Sequence, residues 1–265
     1  STIRWWKTII STFKKKVIYD FRKNDLNNGG QGAPLTPIFH QSLRDKVYGN
    51  SIPVIFINIG GITNVTCFNS SDKNMFASDI GPGNCLIDEW VRKNSKKKYD
   101  KNGLIAKSGI TNKLILDQAL DNFGVIFNNS LDIKDFDISF ARGLSLEDGA
   151  STITNFTAEI ITTSLKKLLD ENEYDSGDHL FPNIIVCGGG RKNKYLMDLL
   201  SKNILEKIGY NKFQIIDEHN IDGDFIESQA FAFLAIRSFL NLPISFPKTT
   251  GCKKPCTGGV LVKNY

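Results

Sequence analysis

Short apolar runs separated by glycine turns mark the first third of this sequence. Val54–Ile59 is followed at once by Ile62–Phe68, and only the pair Gly60-Gly61 separates the two runs. Two glycines between apolar runs predict a tight hairpin, because residues without a Cβ adopt positive φ readily. A third run, 75–79, ends in an aspartate and is followed by a glycine-rich loop, so it predicts a strand that leads into a helix.

Beyond residue 90 most apolar positions recur at helical spacing. The clearest helix start is Ser145, a serine N-cap with an acidic residue three places on. The stretch 230–236 is apolar on every side, which predicts that it is buried. The predicted helices are 36–47, one from about residue 85, 111–123, 145–170, 194–208 and a last one that Asp222 caps and that runs to about residue 240. The further predicted strands are 17–21, 183–187 and 213–216.

From residue 54 onward the predicted elements follow the order βββαβαβα, with a helical insertion after the first helix. Three antiparallel strands followed by alternating helices and strands predict an α/β fold with one mixed sheet covered on both faces. Ligands in such sheets gather at the carboxyl ends of strands. The hairpin glycines, Asp79 and the triplet Gly188-Gly189-Gly190 all lie at predicted strand ends. Asp79 and the triplet each precede a helix, as an anion-binding turn does.

Composition narrows the classes of function. The chain has 265 residues, 41% of them hydrophobic and 23% charged, an ordinary globular balance. The net charge is +5, and the lysine runs lack interleaved aromatics, so we expect no nucleic-acid partner. The five cysteines are scattered without the paired spacing of a zinc site, which favours a reducing, cytoplasmic location. No run of about 18 apolar residues is present, so we expect no membrane segment.

Each candidate feature also has a simpler interpretation. Gly60-Gly61 is compatible with a plain hairpin, and Asp79 with a turn or capping residue. The glycine triplet resembles the start of a dinucleotide fingerprint, but Asn193 stands where the third glycine belongs. A backbone cradle for a mononucleotide fits the triplet better, because close approach needs missing Cβ atoms and not a strict fingerprint.

Taken together, these motifs resemble those of the anhydro-N-acetylmuramic acid kinases, sugar kinases with an actin-like ATPase (ribonuclease H-like) fold. The resemblance covers nearly the whole chain from about Val17, in the right order, and the combination is specific although no single motif is. The matching stretches are Asp20-Phe21-Arg22 with Asp25, 29–35 (GGQGAPL), Phe39-His40, 58–64 (NIGGITN), 79–84 (DIGPGN), 147–150 (EDGA), 186–190 (VCGGG) and Asp224 with Glu227, Ala230 and Phe231.

The resemblance implies an ATP-dependent reaction on an amino sugar. Family members open the 1,6-anhydro bridge with water at C1 while O6 takes the γ-phosphoryl group of ATP, which gives N-acetylmuramic acid 6-phosphate. It implies Asp79 as the base that deprotonates the water, with Mg²⁺ and backbone donors on the phosphates. By the same resemblance, Gly60, Gly61 and Asn64 would face the β- and γ-phosphates and Gly188, Gly189 and Gly190 the adenosine. The candidates for sugar contacts are Gln31, Gly83, Asn84 and Glu227.

Two motifs of the family are missing from this sequence, the Gly-Thr-Ser-x-Asp-Gly turn of the first phosphate loop and a Ser-His-Gly-Gln segment. We therefore expect 1–50 to be a remnant of an N-terminal lobe and its connection, 51–245 to form the C-terminal lobe with a helical insertion at about 93–141, and 246–265 to be a turn-rich tail. With one phosphate loop absent, we expect this chain alone to be a poor or inactive kinase. The uncovered interlobe face favours a homodimer.

Two alternative hypotheses stay open on the sequence alone. The first is a non-catalytic relic that still binds nucleotide or amino sugar. The second is an unrelated hydrolase that uses Asp79 with another carboxylate, such as Glu227. Turnover with ATP, Mg²⁺ and the anhydro sugar separates both from a kinase, because a relic binds without turnover and a hydrolase cleaves without ATP.

Overall fold

A mixed sheet of five strands forms the centre of the structure, a computed structural model that describes residue 12 and residues 15–69, 75–123, 131–171, 181–209 and 212–262. The strands are β1 (Val17–Tyr19), β2 (Val54–Ile59), β3 (Ile62–Phe68), β4 (Met75–Pro82), β5 (Asn183–Cys187), β6 (Phe213–Ile215) and β7 (Val260–Val262). The order across the sheet is β4-β3-β2-β5-β6, and β1 pairs with β7 in a separate ribbon. Strands β2, β3 and β4 are antiparallel neighbours, whereas β5 is parallel to β2 and β6.

Helices cover both faces of this sheet. They are α1 (Lys23–Asn27), α2 (Pro37–Val47), α3 (Cys85–Asn94), α4 (Leu104–Ser108), α5 (Lys113–Asp121), α6 (Leu146–Glu171), α7 (Lys194–Ile208), α8 (Ile226–Phe239) and α9 (Pro247–Thr250). Helices α6 and α7 pack on one face, and α2 and α8 on the other. Helices α3, α4 and α5 share a third apolar cluster with the start of α6, so the insertion has a core of its own.

Strand β2 supplies side chains to both main cores. Ile55, Ile57 and Ile59 belong to the core under α6 and α7, while Val54 and Phe56 belong to the core under α2 and α8. Successive side chains of a strand point to opposite faces, so a strand covered on both sides reads as a continuous apolar run. This arrangement confirms the predicted α/β fold with a mixed sheet and the order βββαβαβα.

The structure tests the predicted β2–β3 turn and the predicted N-cap of α6. The hairpin between β2 and β3 is confirmed, but neither Gly60 nor Gly61 has positive φ, so the expected backbone reason for these glycines is wrong. The cap of α6 is confirmed, because the Oγ of Ser145 accepts the N–H of Asp148 at 3.0 Å. No helix of the described residues is long and apolar enough to cross a membrane.

Helix α8 differs most from its prediction. Within 230–236 only Ala230 and Leu234 are buried, and Ile236 is 59% exposed. A helix that packs on one face of a sheet turns only one stripe toward the core, so an apolar composition on every side does not bury every side. Asp222 does not cap the helix, because its side chain closes a turn before Ile226, where the helix begins.

The two ends of the described chain meet in the β1–β7 ribbon, where Val17 pairs with Val262. The segment predicted as a turn-rich tail therefore contains a short helix, α9, and an edge strand. The proposed division at residues 50 and 245 stays a prediction.

Candidate active site

A row of polar side chains crosses three neighbouring strands on one face of the sheet. Asn58 of β2 lies opposite Asn64 of β3, and Asn64 lies opposite Asp79 of β4. Residues directly opposite each other point to the same face, and Asn58 shares its face with Phe56, two residues earlier. The core under α2 and α8 ends at this row, and a cavity of about 520 Å³ opens there, lined by all three polar residues.

An irregularity in β4 presents Asp79 to the cavity. Asn64 pairs with Asp79, but Thr63 pairs with Gly81, so Ile80 is an extra residue in β4. Bulges of this kind redirect neighbouring side chains and are common beside active sites. The sequence predicted that the strand ends at Asp79, and this is wrong because the bulge lets pairing continue past it.

Burial and one hydrogen bond set the properties of the Asp79 carboxylate. Its Oδ2 accepts the backbone N–H of Leu131 at 2.9 Å, and no cation of the described residues pairs with it. Burial raises the pKa of Asp79 above its ordinary value, and the Leu131 N–H lowers it by a smaller amount. A carboxylate with a raised pKa is a stronger base than one in water, so this group suits proton removal from a bound nucleophile.

The first glycine corner, Gly60-Gly61, lines the same cavity as Asp79. Gly83 and Asn84 stabilise this corner through backbone hydrogen bonds. The Gly83 N–H donates to the Gly61 carbonyl at 2.9 Å, and the Asn84 N–H donates to the Gly60 carbonyl at 2.8 Å. A Cβ on Gly83 would lie 2.4 Å from the Gly60 oxygen, so close approach explains that glycine. The structure thus places Gly83 and Asn84 outside the cavity that contains Asp79.

The second glycine corner follows β5. Gly188 and Gly189 line the cavity, whereas Gly190 is buried against Ile59, where a Cβ would lie 2.3 Å from the isoleucine Cγ2. The two corners face each other because β2 and β5 are adjacent parallel strands whose carboxyl ends meet at one edge.

Arg191 fixes this second corner. Its Nη1 donates to the Gly188 carbonyl at 3.1 Å, its Nε to Asp217 at 2.6 Å and its Nη2 to Asp224 at 2.8 Å. The hydrogen bond to Asp217, with a further one to Asp224, raises the pKa of the buried guanidinium, and the same contact with Arg191 lowers the pKa of Asp217. Because its guanidinium is already paired with Asp217 and Asp224, Arg191 holds the loop in place and is not free to bind a ligand anion.

A second cavity of about 420 Å³ meets the first at Gly189. Asn84, Tyr99, Asn102 and Lys192 are among the residues that line it. A larger hollow of about 680 Å³ lies beside α7 and β6, but it contains neither Asp79 nor a glycine corner. We place the chemistry in the first cavity, of about 520 Å³, because it is lined by the Asp79 carboxylate and by both glycine corners.

The predicted sugar contacts are only partly brought together. Glu227 lines the cavity with Asp79, whereas Gln31 is exposed and lies outside it. Asn58, Arg22 and His40 also line the cavity, and the sequence did not single them out as site residues. Asn58 could have been identified from the sequence, because it is the polar residue in the apolar run Val54–Ile59. For Arg22 and His40 nothing in the sequence indicated a site role other than their occurrence in a matched motif.

His40 is the buried histidine of this site. Its Nδ1 lies 2.9 Å from the Thr66 hydroxyl, and its ring stacks on Phe56 with centroids 4.9 Å apart. Burial lowers the pKa of His40 from 6.5 to about 4, so the folded protein holds it neutral at neutral pH.

We expect His40 to make the protein unstable in acid. The unfolded chain binds the proton near pH 6.5 but the folded chain only near pH 4, so stability is complete above pH 6.5 and falls by about 3 kcal/mol as the pH drops to 4. Urea unfolding between pH 7 and 4 measures this loss. The His40→Gln variant should lose most of the pH slope, whereas a His219→Gln control should keep it.

No cluster of three or more His, Cys, Asp or Glu residues that could hold a metal ion occurs in the part of the chain that the structure describes.

Comparison with known proteins gives a consistent family. A family model described as "Anhydro-N-acetylmuramic acid kinase" matches residues 6–264. An anhydro-N-acetylmuramic acid kinase of Pelagibacter ubique is 52% identical over 261 residues, which are 96% of this chain and 67% of the relative. One of Zymomonas mobilis is 39% identical over 252 residues, 93% of this chain and 63% of the relative. The chain thus spans about two thirds of the length of these relatives.

Among solved structures, the activator of the 2-hydroxyisocaproyl-CoA dehydratase from Clostridium difficile with bound ADPNP is similar with a TM-score of 0.42 and 10% identity. The match covers 74% of this chain and 65% of the activator.

Proposed function

Because the chain belongs to the anhydro-N-acetylmuramic acid kinase family, we propose that it carries the catalytic lobe for ATP-dependent phosphorylation of 1,6-anhydro-N-acetylmuramic acid. The product is N-acetylmuramic acid 6-phosphate. One observation supports this most directly: the Asp79 carboxylate and both glycine corners line a single cavity. This coupled reaction requires a base and a phosphate cradle in the same site.

The proposed reaction forms two bonds, breaks two others and transfers one proton. A water oxygen bonds to C1 of the sugar while the C1–O6 bond breaks, and O6 bonds to the γ-phosphorus as its bond to the β-γ bridging oxygen of ATP breaks. Asp79 takes the proton that the water releases and passes it to solvent, so the products are the sugar phosphate, ADP and one proton. The raised pKa of Asp79 favours this proton transfer.

The nucleotide would lie across the two glycine corners. Gly60 and Gly61, with Asn64 beside them, offer the phosphate groups a backbone without Cβ atoms. Gly188 and Gly189 both line the first cavity and Gly189 also lines the second, so the adenosine would extend into the second cavity beside Lys192. Mg²⁺, when bound to the phosphates, would neutralise charge on the transferred group.

Glu227 and Asn58 are the proposed polar contacts for the sugar, because both line the cavity with Asp79. The cavity does not support the predicted sugar contact of Gln31, which is exposed and is not among the lining residues. A cytoplasmic location and a homodimer stay predictions. The five cysteines are free and buried, as a reducing compartment allows.

A direct assay tests the proposed function. The purified chain is mixed with ATP, Mg²⁺ and the anhydro sugar, and the 6-phosphate is measured by mass spectrometry against reactions that lack one component. Product that needs all three components supports the proposal. Sugar and nucleotide binding by calorimetry without turnover would favour a non-catalytic binding protein. Ring opening without ATP would favour a hydrolase.

A further inference from the structure

The loop 29–34 brings part of its backbone to the cavity that contains Asp79. Ala33 and Pro34, at its end, line the cavity, whereas Gln31 is exposed at its tip. Its three glycines and one proline leave few side chains to pack, so other parts of the molecule must hold its shape.

A buried carboxylate holds the loop from inside. Asp25 is only 1% exposed, its Oδ2 accepts the Gly32 N–H at 2.7 Å, and its Oδ1 accepts the Thr250 hydroxyl at 2.6 Å. A Cβ on Gly30 would lie 2.2 Å from the Asp25 Oδ2, so the loop is folded tightly over this group. A buried carboxylate is stabilised only when its oxygens are hydrogen-bonded, which makes both donors important.

The C-terminal segment holds the same loop from the other side. The Gln31 N–H donates to the Thr250 carbonyl at 2.8 Å, and the Lys253 N–H donates to the Asn28 carbonyl at 3.1 Å. Thr250 therefore holds the loop directly through its backbone carbonyl and indirectly through its hydroxyl, which donates to the Asp25 carboxylate.

The backbone of Gly32 links this buried contact to the cavity wall. Its N–H donates to Asp25, and its carbonyl accepts Nη1 of Arg22 at 2.8 Å. Arg22 itself lines the cavity, so a shift of the Gly32 backbone moves both the loop end and a cavity side chain.

We propose that Asp25 and Thr250 are positioning residues that hold loop 29–34 and Arg22 in place for the amino sugar. Neither residue lines the cavity, and they act through the Gly32 backbone. The inference rests on the proposed function, which places the sugar beside Asp79 and Glu227. Arg22, Ala33 and Pro34 line that same cavity and not the second one. A loop fixed in its bound shape binds more tightly, since less freedom is lost on binding.

The test compares Thr250→Val with Thr250→Ser in the full chain. Thr250→Val keeps the shape but removes the hydroxyl, and Thr250→Ser keeps the donor. Thr154→Val is the matched control, because it removes an equally buried hydroxyl that bonds only within α6. Hydrogen exchange of residues 26–36 reports the loop, and calorimetry with 1,6-anhydro-N-acetylmuramic acid reports binding.

We expect Thr250→Val to speed amide exchange at residues 30–32 and to weaken sugar binding about tenfold, as the loss of a hydrogen bond to a charged group implies. Thr250→Ser should restore both, and Thr154→Val should change neither. Asp25→Asn, which keeps the side-chain shape, gives a second variant if Thr250→Val does not fold.

Unchanged exchange in Thr250→Val, or faster exchange with unchanged sugar binding, would overturn the positioning role. If the unaltered chain binds no sugar at all while Thr250→Val still loosens the loop, the proposed function and the sugar role both fall, and only the structural contact remains. If the unaltered chain binds sugar and Thr250→Val weakens this binding while no phosphate transfer is seen, the positioning role stands and the kinase reaction falls.

Discussion

Replacing Asp79 with asparagine is expected to lower the rate of N-acetylmuramic acid 6-phosphate formation by about 10²–10⁴-fold, which corresponds to about 3–5 kcal/mol of transition-state stabilisation. Asparagine keeps the size of the side chain but cannot accept the proton of the attacking water. The effect should appear in kcat, because the carboxylate acts on the transition state and not on the bound sugar or nucleotide. Steady-state kinetics with both substrates saturating measures it.

Asp148→Asn is the matched control for this experiment. Asp148 is also partly buried and also accepts one backbone N–H, that of Ile110 at 2.7 Å, but it lies outside the cavity. We expect its variant to retain most of the activity. If Asp79→Asn retained more than about a tenth of the rate with both substrates still bound, another group would be the base.

The pH profile gives an independent check on the same residue. Burial raises the pKa of Asp79, so the base loses its charge at a higher pH than an ordinary aspartate. Activity should be complete well above this pKa and fall as the pH drops through it. The acid limb of kcat should therefore lie above pH 3.8, the ordinary value. The fit must use pH values at which the protein is still folded, because His40 destabilises it in acid.

The second large effect is expected from Gly188→Ala. Gly188 has φ of +82°, and a Cβ would lie 2.6 Å from both the Asn58 Oδ1 and the Ile59 carbonyl oxygen. Strained φ and a clash with backbone together should destabilise the fold by about 2–4 kcal/mol and lower Tm by roughly 5–10 °C. Nucleotide affinity should fall as well, because the corner must move away from the first glycine corner.

The neighbouring glycine provides the control for this substitution. A Cβ on Gly189 meets no atom within 4 Å, and its φ is not in the left-handed region. Gly189→Ala should therefore keep its Tm within about 1 °C of the original. The added methyl group lies in open space where the two cavities meet. Any loss of ATP affinity in Gly189→Ala, measured by calorimetry, would therefore reflect a clash between this methyl group and the bound nucleotide. Equal Tm values for both variants would contradict the close approach at Gly188.

The sequence by itself determined most of the central elements and, from residue 54 onward, their order. Apolar runs predicted β2, β3 and β5, because a strand that is covered on both faces has no solvent-facing position for charged side chains. Ser145 predicted the start of α6, because its hydroxyl accepts the N–H of Asp148, three residues later. These are local effects, so they are readable from neighbouring residues. The clustering of Asp79 with both glycine corners was implied only by the family resemblance, because the carboxyl ends of strands in a mixed sheet need not share an edge. They share one here because β2, β4 and β5 run in the same direction.

Only the tertiary structure decided which residues face the cavity. The row of Asn58, Asn64 and Asp79 depends on strand register and on a bulge, and a shift of one residue would turn each side chain to the opposite face. Asp25 meets Thr250 across most of the chain, and α8 leaves Ile236 exposed because packing covers one stripe only. Contacts between residues far apart in sequence carry no local signal, since their energy exists only after the chain has folded.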